Sequence, residues 1–138
     1  MGLVSQVFDE STLNSLVGHV AVGHTRYSTT GGSRWENAQP THGATATGTV
    51  ALAHNGNLTN TAALHDLVRQ QVGTQVGELR YGNTSDTALV TALLGADPDT
   101  ALEQAAVNVL KSLCGAFSLI FSDESTLYAA RDPQGIRP

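Results

Sequence analysis

Residues 49–60 read T-V-A-L-A-H-N-G-N-L-T-N, and how this stretch folds decides the architecture on both sides of it. Asn55-Gly56 is the strongest short-range signal for a chain reversal, because both residues tolerate positive φ. The expectation is a strand over 49–54 that ends on a turn at Asn55-Gly56. From Thr61 the period becomes helical, with Leu64, Leu67, Val68 and Val72 at three- and four-residue spacing and Thr59 or Asn60 as the N-cap. The same stretch also carries groups able to do chemistry, in His54, Asn55 and Gly56.

Upstream, residues 19–24 (HVAVGH) read as a short buried strand. Residues 25–41 are rich in Ser, Thr, Gly and Asn and lack periodicity; a loop that long inside a domain is functional or disordered. Residues 43–49 (GATATGT) read as a loop leading into the strand. Downstream, 76–81 is ambiguous. Thr84-Ser85-Asp86 caps a second helix with apolar Leu89, Val90, Leu93 and Leu94. Asp97-Pro98-Asp99 opens a third, with Leu102, Ala106, Val109, Leu110 and Leu113 on one face, and Gly115 stops it. Strands over 116–122 and 126–130, joined by Asp123-Glu124-Ser125, complete the order β, β, α, α, α, β, β. Helices segregated from mostly antiparallel strands predict α+β layers, not a doubly wound parallel sheet.

The chain has 138 residues, the size of one domain over 1–138, with 41% hydrophobic and 14% charged residues. Net charge is -5 and the seven basic residues are scattered. No basic stripe exists to neutralise phosphates, and no apolar run approaches the roughly 20 residues that span a bilayer, so neither nucleic-acid nor membrane partners are expected. A single cysteine, Cys114, excludes an internal disulfide and makes a reducing cytoplasm the default. Gly31-Gly32 and Gly43 fit no phosphate-loop fingerprint. His19, His24, His42, His54 and His65 show no metal-ligand spacing, so no metal is expected. His24 and His54, each placed at a strand end, are in a position to approach each other, most simply as hydrogen-bonded histidines. Cys114 lies near a helix C-terminus, where nothing lowers a thiol pKa, and reads as a buried structural thiol.

Arg26 opens the polar loop, where a guanidinium suits bidentate grip of a carboxylate. Asp86 starts a helix and is first a cap, but can also accept from an ammonium. Together Arg26 and Asp86 match the two ends of an α-amino acid. Asn55 and Gly56 supply an amide NH2 and an unhindered N–H, the parts of an oxyanion hole. Singly, each is better read as a solvated arginine, a cap or a turn; the set is what favours a site.

The strings GHTRYSTTGGSRWENAQP (23–40), LAHNGNLTN (52–60), NTSDT (83–87) and ARDPQGIRP (130–138) together resemble the glutaminase domain of the amidophosphoribosyltransferase family. His-Thr-Arg followed by His-Asn-Gly is shared by class II glutamine amidotransferases generally. Asn37-Ala38-Gln39-Pro40, Asn57-Leu58-Thr59-Asn60 and the closing Arg131 to Pro138 motif point to this member over glucosamine-6-phosphate synthase. The resemblance implies an N-terminal-nucleophile hydrolase fold, an αββα sandwich with two stacked antiparallel sheets. It implies hydrolysis of the glutamine side-chain amide, with ammonia passed to a phosphoribosyltransferase domain to make phosphoribosylamine from phosphoribosyl pyrophosphate. By motif, Arg26 binds the α-carboxylate and Asp86 the α-amino group. Tyr27 and Thr29 belong to a loop closing over glutamine, and Asn55 and Gly56 form the oxyanion hole.

Family members use a mature N-terminal cysteine as nucleophile, its own α-amino group acting as base. Here residue 1 is Met and residue 2 is Gly. The expectation is therefore a partial domain, incomplete at the N-terminus and inactive by itself, separated from its transferase partner. The magnesium and the [4Fe-4S] cluster of some relatives belong to that other domain. Exposed edges predict a homo-oligomer or self-association. The alternatives are a non-catalytic glutamine-binding or interaction module of the same fold, or another class II amidotransferase.

Overall fold

A four-stranded antiparallel sheet in the order β1-β2-β3-β4 frames the computed structural model, which describes residues 3–26, 35–73 and 85–138. Its strands are β1 (Thr41–Thr45), β2 (Gly48–Leu58), β3 (Gly115–Ser122) and β4 (Leu127–Arg131). Val50 and Leu52 on β2 and Phe117, Leu119 and Phe121 on β3 are buried, whereas Ile120 on the opposite face is 47% exposed. That period of two belongs to a sheet covered on one face. The expected α+β character holds, with one sheet among the described residues.

Five α-helices are present among the described residues, α1 (Val4–Val7), α2 (Glu10–Ser15), α3 (Thr61–Val72), α4 (Asp86–Leu94) and α5 (Leu102–Leu110), besides one 3-10 turn at Trp35–Asn37. None is long and apolar enough to cross a membrane. α4 packs against β1, β2, α3 and α5. It is accordingly buried nearly all round, at Thr87, Ala88, Leu89, Val90, Thr91, Leu93 and Leu94, as an apolar helix in an interior must be. α3 and α5 bury single stripes, Leu64 and Val68 on one and Leu102, Ala105, Ala106 and Val109 on the other. Ser85 caps α4, its hydroxyl accepting from the Ala88 N–H at 3.3 Å.

β1 exists because small residues let α4 come close. A Cβ at Gly95 would lie 2.0 Å from the Ala44 carbonyl, and one at Gly43 would lie 2.9 Å from the Thr91 methyl. The Thr41 and Thr91 hydroxyls meet at 2.6 Å and tie strand to helix. The loop expected over 43–49 is therefore β1 and its turn into β2.

The structure corrects other expectations. Asn55-Gly56 is not a turn: β2 continues through both, with Asn55 opposite Ser118 and Gly56 opposite Phe117, as far as Leu58 opposite Gly115. Ladder pairing over eight β3 residues outweighs the local turn preference of one dipeptide. Residues 19–24 are not a strand, and the short helices α1 and α2 were not foreseen. The third helix begins at Leu102, not at Asp97, because the Asp97 carboxylate accepts from the Asp99 N–H and the Thr100 hydroxyl and organises a turn instead. It ends at Leu110, before Gly115. Thr84 and residues 76–81 lie outside the described residues.

Candidate functional site

β1 ends where Thr41 pairs with Leu52, but β2 runs on to Leu58. Beyond that point the β2 edge has no neighbouring strand among the described residues, and side chains cap it. The Leu52 carbonyl accepts from the Thr41 hydroxyl at 3.3 Å, the His54 N–H donates to Gln39 Oε1 at 2.6 Å, and the Leu58 N–H donates to Asp86 Oδ2 at 3.2 Å. Backbone groups alternate sides along an antiparallel strand, so the Gly56 N–H faces this same edge, between the two side-chain-capped amides.

Asp86 is the first residue of α4, which carries it to that edge. Its Oδ1 accepts from the Thr87 N–H at 2.9 Å and lies 3.4 Å from His54 Nδ1. Burial, the largest single influence, pushes its pKa up. The hydrogen bond and charge of His54, with the Leu58 and Thr87 N–H groups, outweigh burial and hold it below the usual carboxylate value.

His54 is buried, its side chain 1% exposed. Its Nε2 has no hydrogen-bond partner among the described residues. It sits beside Gly56, where a Cβ would come within 2.9 Å of Nε2. His24 does approach His54: its ring hydrogen-bonds the His54 backbone, although no strand carries it there. Burial chiefly, then the charges of Arg26 and His54, lowers the His24 pKa against that hydrogen bond.

The closing motif reaches the same place. The Asp132 carboxylate accepts from the N–H groups of Phe117 (3.3 Å), Ile136 (3.1 Å) and Arg137 (3.3 Å). Arg131 donates to the Gly135 carbonyl at 2.6 Å and to the Arg137 carbonyl. The main chain before Arg137 is thus held from both sides.

A cavity of about 240 Å³ opens at the β2 edge, lined among others by Arg26, Asn55, Gly56 and Asp86, together with His54 and Arg137. It is smaller than the ~300–1,000 Å³ of drug-sized sites, as suits a small metabolite. Four of the residues singled out in the sequence therefore meet in one cleft. Tyr27 and Thr29 lie outside the described residues. His54, Gln39 and Arg137 were not foreseen as site residues; His54 stood inside the His-Asn-Gly motif and Arg137 inside the closing one. A larger cavity of about 420 Å³, between α3, α5 and the 96–100 turn, contains none of this chemistry.

Cys114 is exposed, which corrects the expectation of a buried thiol. With α5 ending at Leu110, Cys114 falls in the link to β3. There Asn60 Oδ1 takes its N–H and the Thr59 N–H donates to its carbonyl. It does not line the cleft.

Comparison with known proteins bears on this site. A family profile described as a glutamine amidotransferase domain matches residues 24–138. The amidophosphoribosyltransferase of Mycobacterium tuberculosis is 54% identical over 140 residues, covering 100% of this chain and 26% of that protein. The Synechocystis enzyme of the same name is 42% identical, with 27% of it covered. The chain thus spans about a quarter of the length of these relatives. Among solved structures, the Bacillus subtilis glutamine phosphoribosylpyrophosphate amidotransferase complexed with ADP and GMP superposes with a TM-score of 0.68 at 32% identity, covering 83% of this chain and 23% of that one. A structure described as the allosteric regulatory enzyme of purine biosynthesis gives 0.69 at 34% identity, covering 83% and 24%. The chain belongs to the glutamine amidotransferase domain family.

Proposed function

We propose that the cleft binds glutamine and that the chain is the glutamine-using part of an amidophosphoribosyltransferase. In this reading Arg26 pairs with the α-carboxylate and Asp86 with the α-ammonium. The Gly56 N–H and the Asn55 amide face the side-chain carbonyl, where negative charge develops during attack on the amide. By the motif resemblance, Tyr27 and Thr29 also belong to the glutamine-binding set. The released ammonia would serve a phosphoribosyltransferase domain acting on phosphoribosyl pyrophosphate, a role supported by the names of the relatives. One observation carries the reading: Arg26, Asn55, Gly56 and Asp86, separated along the sequence, line one small cavity at the open edge of β2.

A thiolate nucleophile is not part of this cleft among the described residues, because Cys114 lies outside it. In this reading the described cleft supplies the groups that bind glutamine, and Cys114 is not the nucleophile. Cytoplasmic residence and self-association belong to the same reading, the latter supported by exposed Leu16 (60%) and Val17 (94%). Calorimetry with glutamine is the test: Arg26→Ala is expected to abolish the binding heat of the parent chain. Glutamate release from the purified chain that disappears in Cys114→Ala would sink the exclusion of Cys114.

A further inference from the structure

The His54 ring is buried on the helix-facing side of β2, and the Asp86 carboxylate is its contact at 3.4 Å through Nδ1. Its other nitrogen has no partner among the described residues. A buried imidazole with one engaged nitrogen has its orientation set by that contact, which calls for a hydrogen on Nδ1. From the other side, Asp86 is held by groups on two elements: the Thr87 N–H of α4 on Oδ1, the Leu58 N–H of β2 on Oδ2, and the His54 ring on Oδ1. An ionised carboxylate has about four lone-pair positions. His54 and Thr87 occupy those of Oδ1, which leaves capacity on Oδ2, bonded among the described residues to the Leu58 N–H, of a carboxylate that lines the cavity. The Asp86 side chain is 19% exposed, so that capacity is reachable.

Resting on the glutamine reading, we propose that His54 is a positioning residue: it fixes the rotation of the Asp86 carboxylate so that Oδ2 meets the ammonium group of an α-amino acid ligand. A single Nδ1–H suits this task better than a fork of donors. An arginine at His54 would engage both oxygens as a fork and compete with the ligand, whereas imidazole takes one and leaves the carboxylate its charge. Gly56 belongs to the same arrangement, since any side chain there would press on the ring. The other charged groups at the cleft, Arg26 and Arg137, are cations and cannot receive an ammonium, and His24 faces the His54 backbone instead of the carboxylate.

The test is calorimetric titration of the full 138-residue chain with L-glutamine and with glutaric acid monoamide, which is glutamine without its α-amino group. His54→Leu removes the donor. His54→Asn keeps a donor nitrogen near the place of Nδ1, and His54→Gln moves it away. The Leu variant is expected to bind glutamine about tenfold more weakly while the monoamide changes less than about twofold. The Asn variant should stay within about threefold of the parent for both ligands. Circular dichroism checks that each variant is folded; if the Leu variant is not, the Gln variant must show the same selective loss. Equal weakening of both ligands, or indifference of glutamine to His54→Leu in a parent chain that binds it, overturns the assignment alone. A parent chain that binds neither ligand overturns the glutamine reading itself, and this assignment with it.

Discussion

Asp132 and Phe117 are joined twice across the end of the β3–β4 pair: the Asp132 N–H donates to the Phe117 carbonyl at 2.8 Å, and the Phe117 N–H donates to Asp132 Oδ2 at 3.3 Å. Phe117, on β3, is in turn the partner of Gly56 on β2. A line of pairing therefore runs from the closing motif, through the core strand, to the edge that forms the cleft. The same carboxylate holds the Ile136 and Arg137 amides, so it also sets where Arg137 enters the cavity.

Replacing Asp132 by Ala should lower the midpoint of thermal unfolding and release Arg137 from the cleft. Three amides lose their acceptor, one of them on the buried Phe117. Amide exchange at Phe117, Ile136 and Arg137 should accelerate together. Unchanged protection at Phe117 would show that the carboxylate does not anchor the strand end.

Gly56→Ala is expected to cost roughly 3 kcal/mol of stability, read as a shift in the urea midpoint. The residue sits at φ +153°, and a Cβ there would lie 2.1 Å from the Ala116 carbonyl and 2.8 Å from the Phe117 Cα. Both atoms belong to the β3 backbone, which cannot yield without breaking the ladder. A loss below about 0.5 kcal/mol, the range of ordinary surface changes, would contradict this geometry.

Gln39→Ala leaves the His54 N–H, at a buried residue with no strand beside it among the described residues, without its acceptor. A cost of about 1–3 kcal/mol follows from an unsatisfied buried donor. Gln39→Glu retains an oxygen at the same reach and should recover most of that loss. Equal destabilisation by both substitutions would mean that the side chain acts through packing, not through its oxygen.

Acid should weaken the chain through Asp86 and Asp132. In both, burial raises the pKa but hydrogen bonds outweigh it, from His54, Leu58 and Thr87 for the first and from Ile136, Arg137 and Phe117 for the second. Both folded values lie below the unfolded one. Their contribution is thus fully present above the unfolded value of about 4 and is lost as pH falls through the lowered folded values. Urea midpoints between pH 7 and pH 3 should drop at the acid end, and Asp86→Asn should flatten that drop. An undiminished acid drop in the Asp86→Asn, Asp132→Asn double variant would assign it to other carboxylates.

The amino-acid sequence by itself determined the parts whose signals are local. The three- and four-residue spacing of Leu64, Leu67 and Val68 specifies α3, and Ser85 caps α4 from its own first turn. The β3–β4 hairpin follows from two apolar runs flanking Asp123, whose carboxylate accepts from the Ser125 and Thr126 amides. Arg26, Asn55, Gly56 and Asp86 were legible as a set because each stands in a short motif, His-Thr-Arg, His-Asn-Gly or Asn-Thr-Ser-Asp-Thr, readable without knowing the fold.

Tertiary structure decided everything that depends on partners far along the chain. Asn55-Gly56 has every local mark of a turn, yet Ser118 and Phe117 extend the strand through it. β1 forms through Gly43 and Ala44, weak strand formers, because α4 lies close enough to cover them. The imidazole of His54 meets the Asp86 carboxylate only because β2 outruns β1 and the start of α4 fills the open edge. Backbone preferences act over a few residues, whereas ladder pairing and burial act between segments more distant in sequence. Where the two conflicted, at Asn55-Gly56 and at 43–44, the long-range terms won. The cleft is where those distant segments meet.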